Sequence, residues 1–153
     1  MTDDAIKTEV RRGTDCIGVT VGFMCYDGKG NILLHKRGAK CRDEQGKWDN
    51  GGGALEFGET FEDAVRREIL EEYSAPVKEL TFLAAYNNIR EHEGRMTHWV
   101  VIMYGALVDP LEVQNNEPEK IEELGWFKPD ALPNPPHTVL ARNVKLAQDA
   151  GLL

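Results

Sequence analysis

The stretch that decides the fold reads GALEFGETFEDAVRREILEE and occupies residues 53–72. It contains Thr60-x-x-Asp63, which resembles a helix capping box with Asp in the Glu position, and residues 61–73 contain neither Gly nor Pro. Pro76 disfavours continuation of the helix, so the helix is expected to end before it. The sequence therefore predicts one helix here, with a separate apolar stripe that can face the core: Val65, Ile69 and Tyr73.

Three glutamates share one face of this helix. Glu68, Glu71 and Glu72 stand at positions i, i+3 and i+4, so their Cβ atoms lie about 5–6 Å apart and the carboxylates converge on one spot. Like charges in one cluster repel unless they are spread into solvent, protonated or neutralised by a cation. Two interpretations follow: a solvated acidic face with Arg66 and Arg67 as partners, or a site that holds a cation.

The glycine triplet Gly51-Gly52-Gly53 lies ahead of the helix and favours the second interpretation. Glycine lets the backbone approach a ligand closely and aim a carbonyl oxygen at a metal. Carbonyl and carboxylate oxygens are the donors that Mg²⁺ or Mn²⁺ select, and these ions commonly bridge protein carboxylates to substrate phosphates. By themselves the glycines would indicate only a tight turn.

Outside this stretch the pattern is mainly that of β-structure. Residues 17–26 and 32–37 flank a turn cluster, which predicts a hairpin. Further predicted elements are short strands at 47–49, 80–86, 96–104 and 125–127, a charged loop with Gly94 between the second and third of these, and a closing helix at 138–150. This order predicts an α+β fold, an α/β/α sandwich in which helices flank a mixed sheet.

Length and charge limit the size of the fold and its partners. The chain has 153 residues, which fits one domain. We expect residues 16–153 to form that domain and residues 1–15, which lack apolar periodicity, to form a tail or a lead-in strand. With 18 Lys and Arg against 26 Asp and Glu the net charge is −8, which argues against duplex nucleic acid as the primary partner.

Hydropathy and cysteine usage predict a cytoplasmic protein with no membrane segment. The apolar stretches at 17–26 and 99–108 are about ten residues long, roughly half of what a membrane-spanning helix requires. The polar N-terminus carries no signal-peptide pattern. The three cysteines, Cys16, Cys25 and Cys41, lack a pairing or metal-binding pattern, and reduced thiols are expected.

The spacing of the acidic stretch resembles the signature box of the Nudix hydrolases. The matching positions are Gly53, Glu59, Arg67, Glu68, Ile69, Glu71 and Glu72. The box departs from the family pattern where Ser74 replaces the usual Gly, where Ala75 replaces a larger aliphatic residue, and where Asn50-Gly51 replaces Leu-Pro. The resemblance implies cleavage of a nucleoside diphosphate linked to another group, by divalent metal and water attack on phosphorus.

The resemblance also implies roles for individual residues. Glu68 and Glu72 would be the principal metal ligands, with Glu71 a third or water-mediated one and the carbonyl of Gly52 or Gly53 completing the shell. Arg67 would orient Glu59 or Glu68, because a guanidinium can hold a carboxylate bidentately. The general base is left open between four carboxylates: Glu68, Glu71, Glu117 and Glu119.

The substrate is expected to be a small nucleotide. Lys36, Arg37 and Lys47 flank the glycine loop and are candidates for binding phosphate. The candidates for holding a flat base are Trp48, Phe57, Tyr86, His98, Trp99 and Trp126, each of which is more often a core residue. If Trp99 and Val101 face the core, His98 points to the opposite face and the cleft.

Three functions are weighed from these residues. The first is conversion of a nucleoside triphosphate to a monophosphate and pyrophosphate, as the resemblance to small family members implies. The second is hydrolysis of ADP-ribose or a nucleotide sugar, and the third is a non-catalytic module that binds nucleotides or contacts proteins through the acidic helix. The group beyond the diphosphate is expected to be small or to be held in part by the second subunit of a homodimer.

Overall fold

A computed structural model describes residues 9–153. Its elements, in chain order, are β1 (Gly18–Tyr26), β2 (Ile32–Arg37), β3 (Trp48–Asp49), β4 (Gly51–Ala54), α1 (Phe61–Tyr73), β5 (Glu79–His92), β6 (Arg95–Leu107), a short 3₁₀ turn (Pro110–Glu112), β7 (Ile121–Phe127) and α2 (Leu140–Asp149). None of the helices in this part of the chain is long and apolar enough to cross a membrane.

In the described residues the strands form one mixed sheet. Its main path runs β3-β2-β1-β6-β5, while β4 pairs with β1 and β7 pairs with β2. The pair β1 and β6 is parallel, and the other pairs are antiparallel. The predicted hairpin is present, but β1 and β2 pair only where Tyr26 lies opposite Ile32. The rest of β1 pairs with β4 and β6.

The two faces of the sheet carry separate cores. Alternate residues of β1 point to opposite sides, so Phe23 packs with the apolar face of α1 while Met24 packs with that of α2. The sheet is thus covered by one helix on each face, and the predicted sandwich of a mixed sheet between helices is confirmed.

One predicted loop is wrong. The charged segment around Gly94 continues both neighbouring strands, and only Glu93 and Gly94 turn the chain, with φ of 51° and 75°. Positive φ at both central residues is the geometry of a tight two-residue hairpin. The charges do not disrupt the strands because the strand ends extend beyond the core, where their side chains reach water or ionic partners.

The N-terminal segment shows no lead-in strand within the described part of the chain. From residue 9 to 17 its contacts include one isolated bridge, between Arg12 and Cys16. The rest of the predicted tail, residues 1–8, lies outside the described residues.

Candidate active site

Helix α1 begins and ends as its sequence predicts. The Thr60 hydroxyl accepts a hydrogen bond from the Asp63 amide at 3.1 Å. Ser74, which stands where the family has Gly, takes the left-handed conformation at φ 54°, and its amide donates to the Leu70 carbonyl. The departure at this position therefore leaves the helix end intact. Burial of Val65 and Ile69 against the sheet then fixes which face of the helix carries the glutamates.

Each glycine of the triplet makes room for a close neighbour. A Cβ at Gly53 would lie 2.1 Å from the Glu68 carboxyl carbon, one at Gly52 would lie 2.9 Å from the Val21 carbonyl oxygen, and one at Gly51 would overlap the Phe23 ring and lie 2.8 Å from Oε2 of Glu72. A side chain at any of the three positions would displace these neighbours. The Gly53 carbonyl accepts from the Thr20 hydroxyl at 2.7 Å.

Arg67 holds the carboxylates in place. Its guanidinium donates to both oxygens of Glu59 at 2.9 and 3.2 Å, to Glu68 at 2.8 Å and to Glu71 at 3.3 Å. These acceptors raise the pKa of Arg67, the hydrogen bonds to Glu59 most. Both partners expected from the sequence are therefore present. Glu71 is half exposed and turns towards Arg67, so of the three glutamates Glu68 and Glu72 lie against the glycine triplet, which forms strand β4 and not the expected loop.

Glu72 is a buried carboxylate whose Oε2 atom has no hydrogen-bond partner in residues 9–153. Burial raises its pKa well above 4.5, and the charges of Glu68 and Glu117 add to the effect. Burial also raises the pKa of Glu68, although Arg67 opposes this. Glu68 therefore has a cationic partner in Arg67, whereas the Oε2 atom of Glu72 has no partner in residues 9–153.

The donors suit a hard divalent cation. No three His, Cys, Asp or Glu side chains within the described residues form a ready-made cluster, so a bound ion would draw on backbone oxygens as well. The unpartnered Glu72 oxygen, the neighbouring Glu68 carboxylate and the backbone carbonyls of β4 would supply an all-oxygen environment. This is the chemistry that Mg²⁺ and Mn²⁺ select.

A cleft of about 680 Å³ opens above these carboxylates. Glu117 lines it, because the preceding Asn116 is bonded to the carbonyls of Glu71 and Glu72 at 3.0 Å each and so fixes its loop against the end of α1. Glu119 lies outside the cleft lining, where its exposed carboxylate pairs with Lys40 at 2.8 Å. Of the two acids expected from outside the box, the fold brings only Glu117 to the site.

The cations expected to bind phosphate are engaged elsewhere. Arg37 lines the cleft but contacts Asp43 at 2.8 Å and Asp49 at 3.3 Å. Lys36 lies outside the cleft lining and pairs with Glu123 at 3.4 Å, in keeping with the alternation of side chains along β2.

Lys47 also lies outside the cleft lining and contacts Glu44 at 3.1 Å. The cleft-lining cations without a carboxylate contact in the described part of the chain are Arg42 and Lys120. Both lie in loops, where no periodic pattern in the sequence marks them.

The structure also places the aromatic candidates differently from the sequence expectation. Trp48 is buried in the α2-side core, with its ring 5.2 Å from that of Phe127. The His98 ring donates from Nε2 to the Asn87 amide oxygen at 2.9 Å and does not line the cleft. The expectation for His98 assumed that Trp99 faces the core, whereas Trp99 lines the cleft with the Arg42 guanidinium 5.6 Å from its ring centre.

Comparisons with known proteins agree with this geometry. A family model described as NUDIX domain matches residues 17–148. A MutT NUDIX hydrolase from Burkholderia pseudomallei is 34% identical, with 85% of this chain and 97% of that chain covered and a TM-score of 0.75. The NUDIX domain of Shewanella oneidensis NrtR, solved with ADP ribose, is 18% identical over 88% of each chain with a TM-score of 0.72, which shows the fold alone.

Curated relatives cover less of the chain. The NAD-capped RNA hydrolase NudC of Yersinia enterocolitica is 32% identical over 95 residues, which is 61% of this chain and 34% of that protein. NudC of Photorhabdus laumondii is 30% identical over 93 residues. The chain spans about a third of the length of the curated relatives it matches.

Proposed function

The chain belongs to the NUDIX family of hydrolases, and from that premise we propose that it converts a nucleoside triphosphate to a monophosphate and pyrophosphate. The observation that carries the proposal is a pair of carboxylates held against the glycine strand β4: that of the half-buried Glu68 and that of the buried Glu72, which has one unpartnered oxygen. A diphosphate needs its negative charge neutralised before water can attack phosphorus.

The ligands for a divalent ion would be Glu68, Glu72 and the carbonyl of Gly52 or Gly53, with Glu71 direct or through water. When bound, Mg²⁺ or Mn²⁺ would neutralise phosphate oxygens and polarise the attacking water. Arg67 keeps the Glu68 carboxylate in one orientation through its 2.8 Å contact.

The remaining tasks belong to groups in the cleft. Glu117 lies close enough to Glu72 to affect its pKa, and we assign it as the general base from outside the box. Arg42 and Lys120 have no carboxylate contact in the described residues and would bind phosphate oxygens, Arg42 from its position over the Trp99 ring. The two free cations favour a triphosphate over a nucleotide sugar, whose sugar would need hydrogen-bonding partners in addition.

The alternative is hydrolysis of ADP-ribose or a nucleotide sugar. It is supported by the NrtR domain, which was solved with ADP ribose, and by NudC, a hydrolase of NAD-capped RNA. A cytoplasmic location and a homodimer also stay predictions. The first is supported by the three free cysteines, which form no disulfide.

The test is a turnover screen in ¹⁸O-labelled water with Mg²⁺, using nucleoside triphosphates and ADP-ribose, with products located by mass spectrometry. We expect labelled monophosphate or labelled pyrophosphate and no orthophosphate. Release of orthophosphate alone, or turnover of ADP-ribose far above every triphosphate, would contradict the proposal.

Metal dependence is tested in the same assay. Excess chelator should abolish hydrolysis, Mg²⁺ or Mn²⁺ should restore it, and Ca²⁺ should support it poorly because its looser coordination positions water less well. Sustained hydrolysis in chelator would exclude the role assigned to Glu68 and Glu72.

A further inference from the structure

Buried polar side chains are concentrated beneath the cleft. Seven polar or charged residues are buried in the described part of the chain, and six of them line the cleft: His35, Asp49, Asn50, Glu72, His137 and Asn143. Burying such groups costs free energy unless each is partnered. Glu72 belongs to the proposed metal site, and we call the other five residues the polar floor; its His35 ring lies 2.6 Å from the Tyr73 hydroxyl at the end of α1.

Most of the polar floor is held rigidly by its own hydrogen bonds. The Asn143 amide donates to Asn50 at 2.9 Å, and the Asn50 amide donates to the Gly51 carbonyl at 3.0 Å. The Tyr86 hydroxyl donates to the Asn143 carbonyl oxygen at 2.9 Å. These amides are therefore fixed in orientation before any ligand enters.

Asp49 is the exception. One of its carboxylate oxygens, Oδ2, accepts from Arg37 at 3.3 Å and lies 3.8 Å from the His137 ring. The other, Oδ1, is buried without a partner in residues 9–153. Burial raises the pKa of Asp49 to about 7. A buried acceptor without a partner in a rigid polar network calls for an explanation, and a ligand that supplies the missing donor provides one.

The walls above the floor indicate the shape of that ligand. Tyr86, Trp99, Val101 and Val139 line the same cleft and present aromatic or branched apolar surface. Such walls favour a flat ring over a sugar, whose hydroxyls would need partners on all sides.

We propose that Asp49 determines base specificity by accepting a hydrogen bond from an N–H group on the edge of a planar nitrogen heterocycle. This rests on the proposed function in so far as the substrate is a nucleotide. Neither the proposed metal site nor the proposed phosphate contacts depend on base recognition by Asp49. The proposed function and the role of Asp49 can therefore fail separately.

The test measures binding of nucleoside monophosphates in chelator, so that no turnover is needed. The probes are pairs that differ by one N–H donor: AMP with purine riboside monophosphate, GMP with IMP, GMP with 1-methyl-GMP, and UMP with 3-methyl-UMP. In at least one pair we expect the donor-bearing member to bind on the order of 10- to 100-fold more tightly. Equal affinity within every pair of the wild-type protein would overturn the proposal.

Asp49→Asn gives the residue-level test. Arg37 requires an acceptor, so the amide oxygen should face Arg37 and the NH₂ group should occupy the position of Oδ1. A donor would then meet a donor, and the preference within the selective pair should vanish or reverse. The matched control is Asp43→Asn, because both Asp43 oxygens are already paired, with Arg37 and Arg90 at 2.8 Å each. Its preference should equal that of the wild type.

Three outcomes separate the proposals. Selectivity lost in Asp49→Asn and kept in Asp43→Asn supports the assignment. Selectivity that persists in folded Asp49→Asn overturns it. Base selectivity without hydrolysis of any triphosphate would contradict the proposed function while leaving the role of Asp49 standing.

Discussion

Replacing Glu72 by Gln is expected to stabilise the metal-free fold and to stop hydrolysis. The Glu72 carboxylate is buried, its Oε2 atom has no partner in the described residues, and its pKa is raised well above 4.5, chiefly by burial. Gln keeps the shape of the side chain and removes the charge. The same substitution that relieves the fold therefore removes the group assigned to the metal.

The sign and the size of the effect follow from the raised pKa. A carboxyl whose folded-state pKa exceeds its unfolded-state value destabilises the fold above the unfolded-state pKa, and the penalty grows until the pH reaches the folded-state pKa. Each pH unit between the two values corresponds to about 1.4 kcal/mol. A buried acceptor without a partner costs roughly 1–3 kcal/mol. At pH 8 we therefore expect Glu72→Gln to raise the free energy of unfolding by about 2 kcal/mol, or Tm by roughly 4–8 °C.

The assay is thermal unfolding in chelator at pH 5 and pH 8, repeated with Mg²⁺. The gain should be small at pH 5, and Mg²⁺ should raise the Tm of the wild type but not of the variant. Glu62→Gln is the control on the same helix: Glu62 is exposed, and its hydrogen bond from Tyr104 at 2.8 Å lowers its pKa, so its neutralisation should not stabilise. A Glu72→Gln protein that is destabilised at pH 8, or that hydrolyses substrate at the wild-type rate, would refute this reasoning.

Two other substitutions probe the loop and the ionic network. Gly53→Ala places a Cβ 2.1 Å from the Glu68 carboxyl carbon, so Glu68 must move. We expect kcat to fall on the order of 100-fold with little change in far-UV circular dichroism. A wild-type kcat would show that the close approach is unimportant. Burial alone would raise the pKa of Glu44, but hydrogen bonds from Thr138 help to lower it to about 2. Glu44 therefore stabilises the fold above about pH 4.5, and this contribution is lost as the pH falls towards 2. Glu44→Gln should make the free energy of unfolding less dependent on pH in this acidic range. An unchanged pH dependence there would contradict the assignment.

The parts of the fold that sequence could predict are those set by local patterns. The capping residue Thr60 and the following segment without Gly or Pro fix the helix. The i, i+4 spacing of Glu68 and Glu72 places both carboxylates on one face, which meets the glycine strand β4. These relations lie within residues 51–73. The spacing of the two carboxylates depends on helix periodicity alone, whereas the direction they face is set by burial of Val65 and Ile69 against the sheet.

The cations could not be ranked from sequence because their partners are distant. Arg90 on β5 binds Asp43 and Glu44, which lie 47 and 46 residues earlier, and the same loop occupies Arg37 and Lys47. No local pattern records such pairings. The side assigned to His98 failed for a related reason, since strand alternation gives two faces without saying which one meets the core.

The charges of the cleft determine how an anionic substrate can enter it. Arg37, Arg67 and Arg90 all line the cleft, yet each is bonded to two or more carboxylates of the protein. Their positive charge is neutralised by these carboxylates, and the ion pairs hold the side chains of the site in place. In the proposed reaction, attraction for phosphate would come from Arg42, Lys120 and a bound divalent ion, against a surface field that is negative overall. Affinity for the triphosphate should therefore depend on the metal as strongly as turnover does.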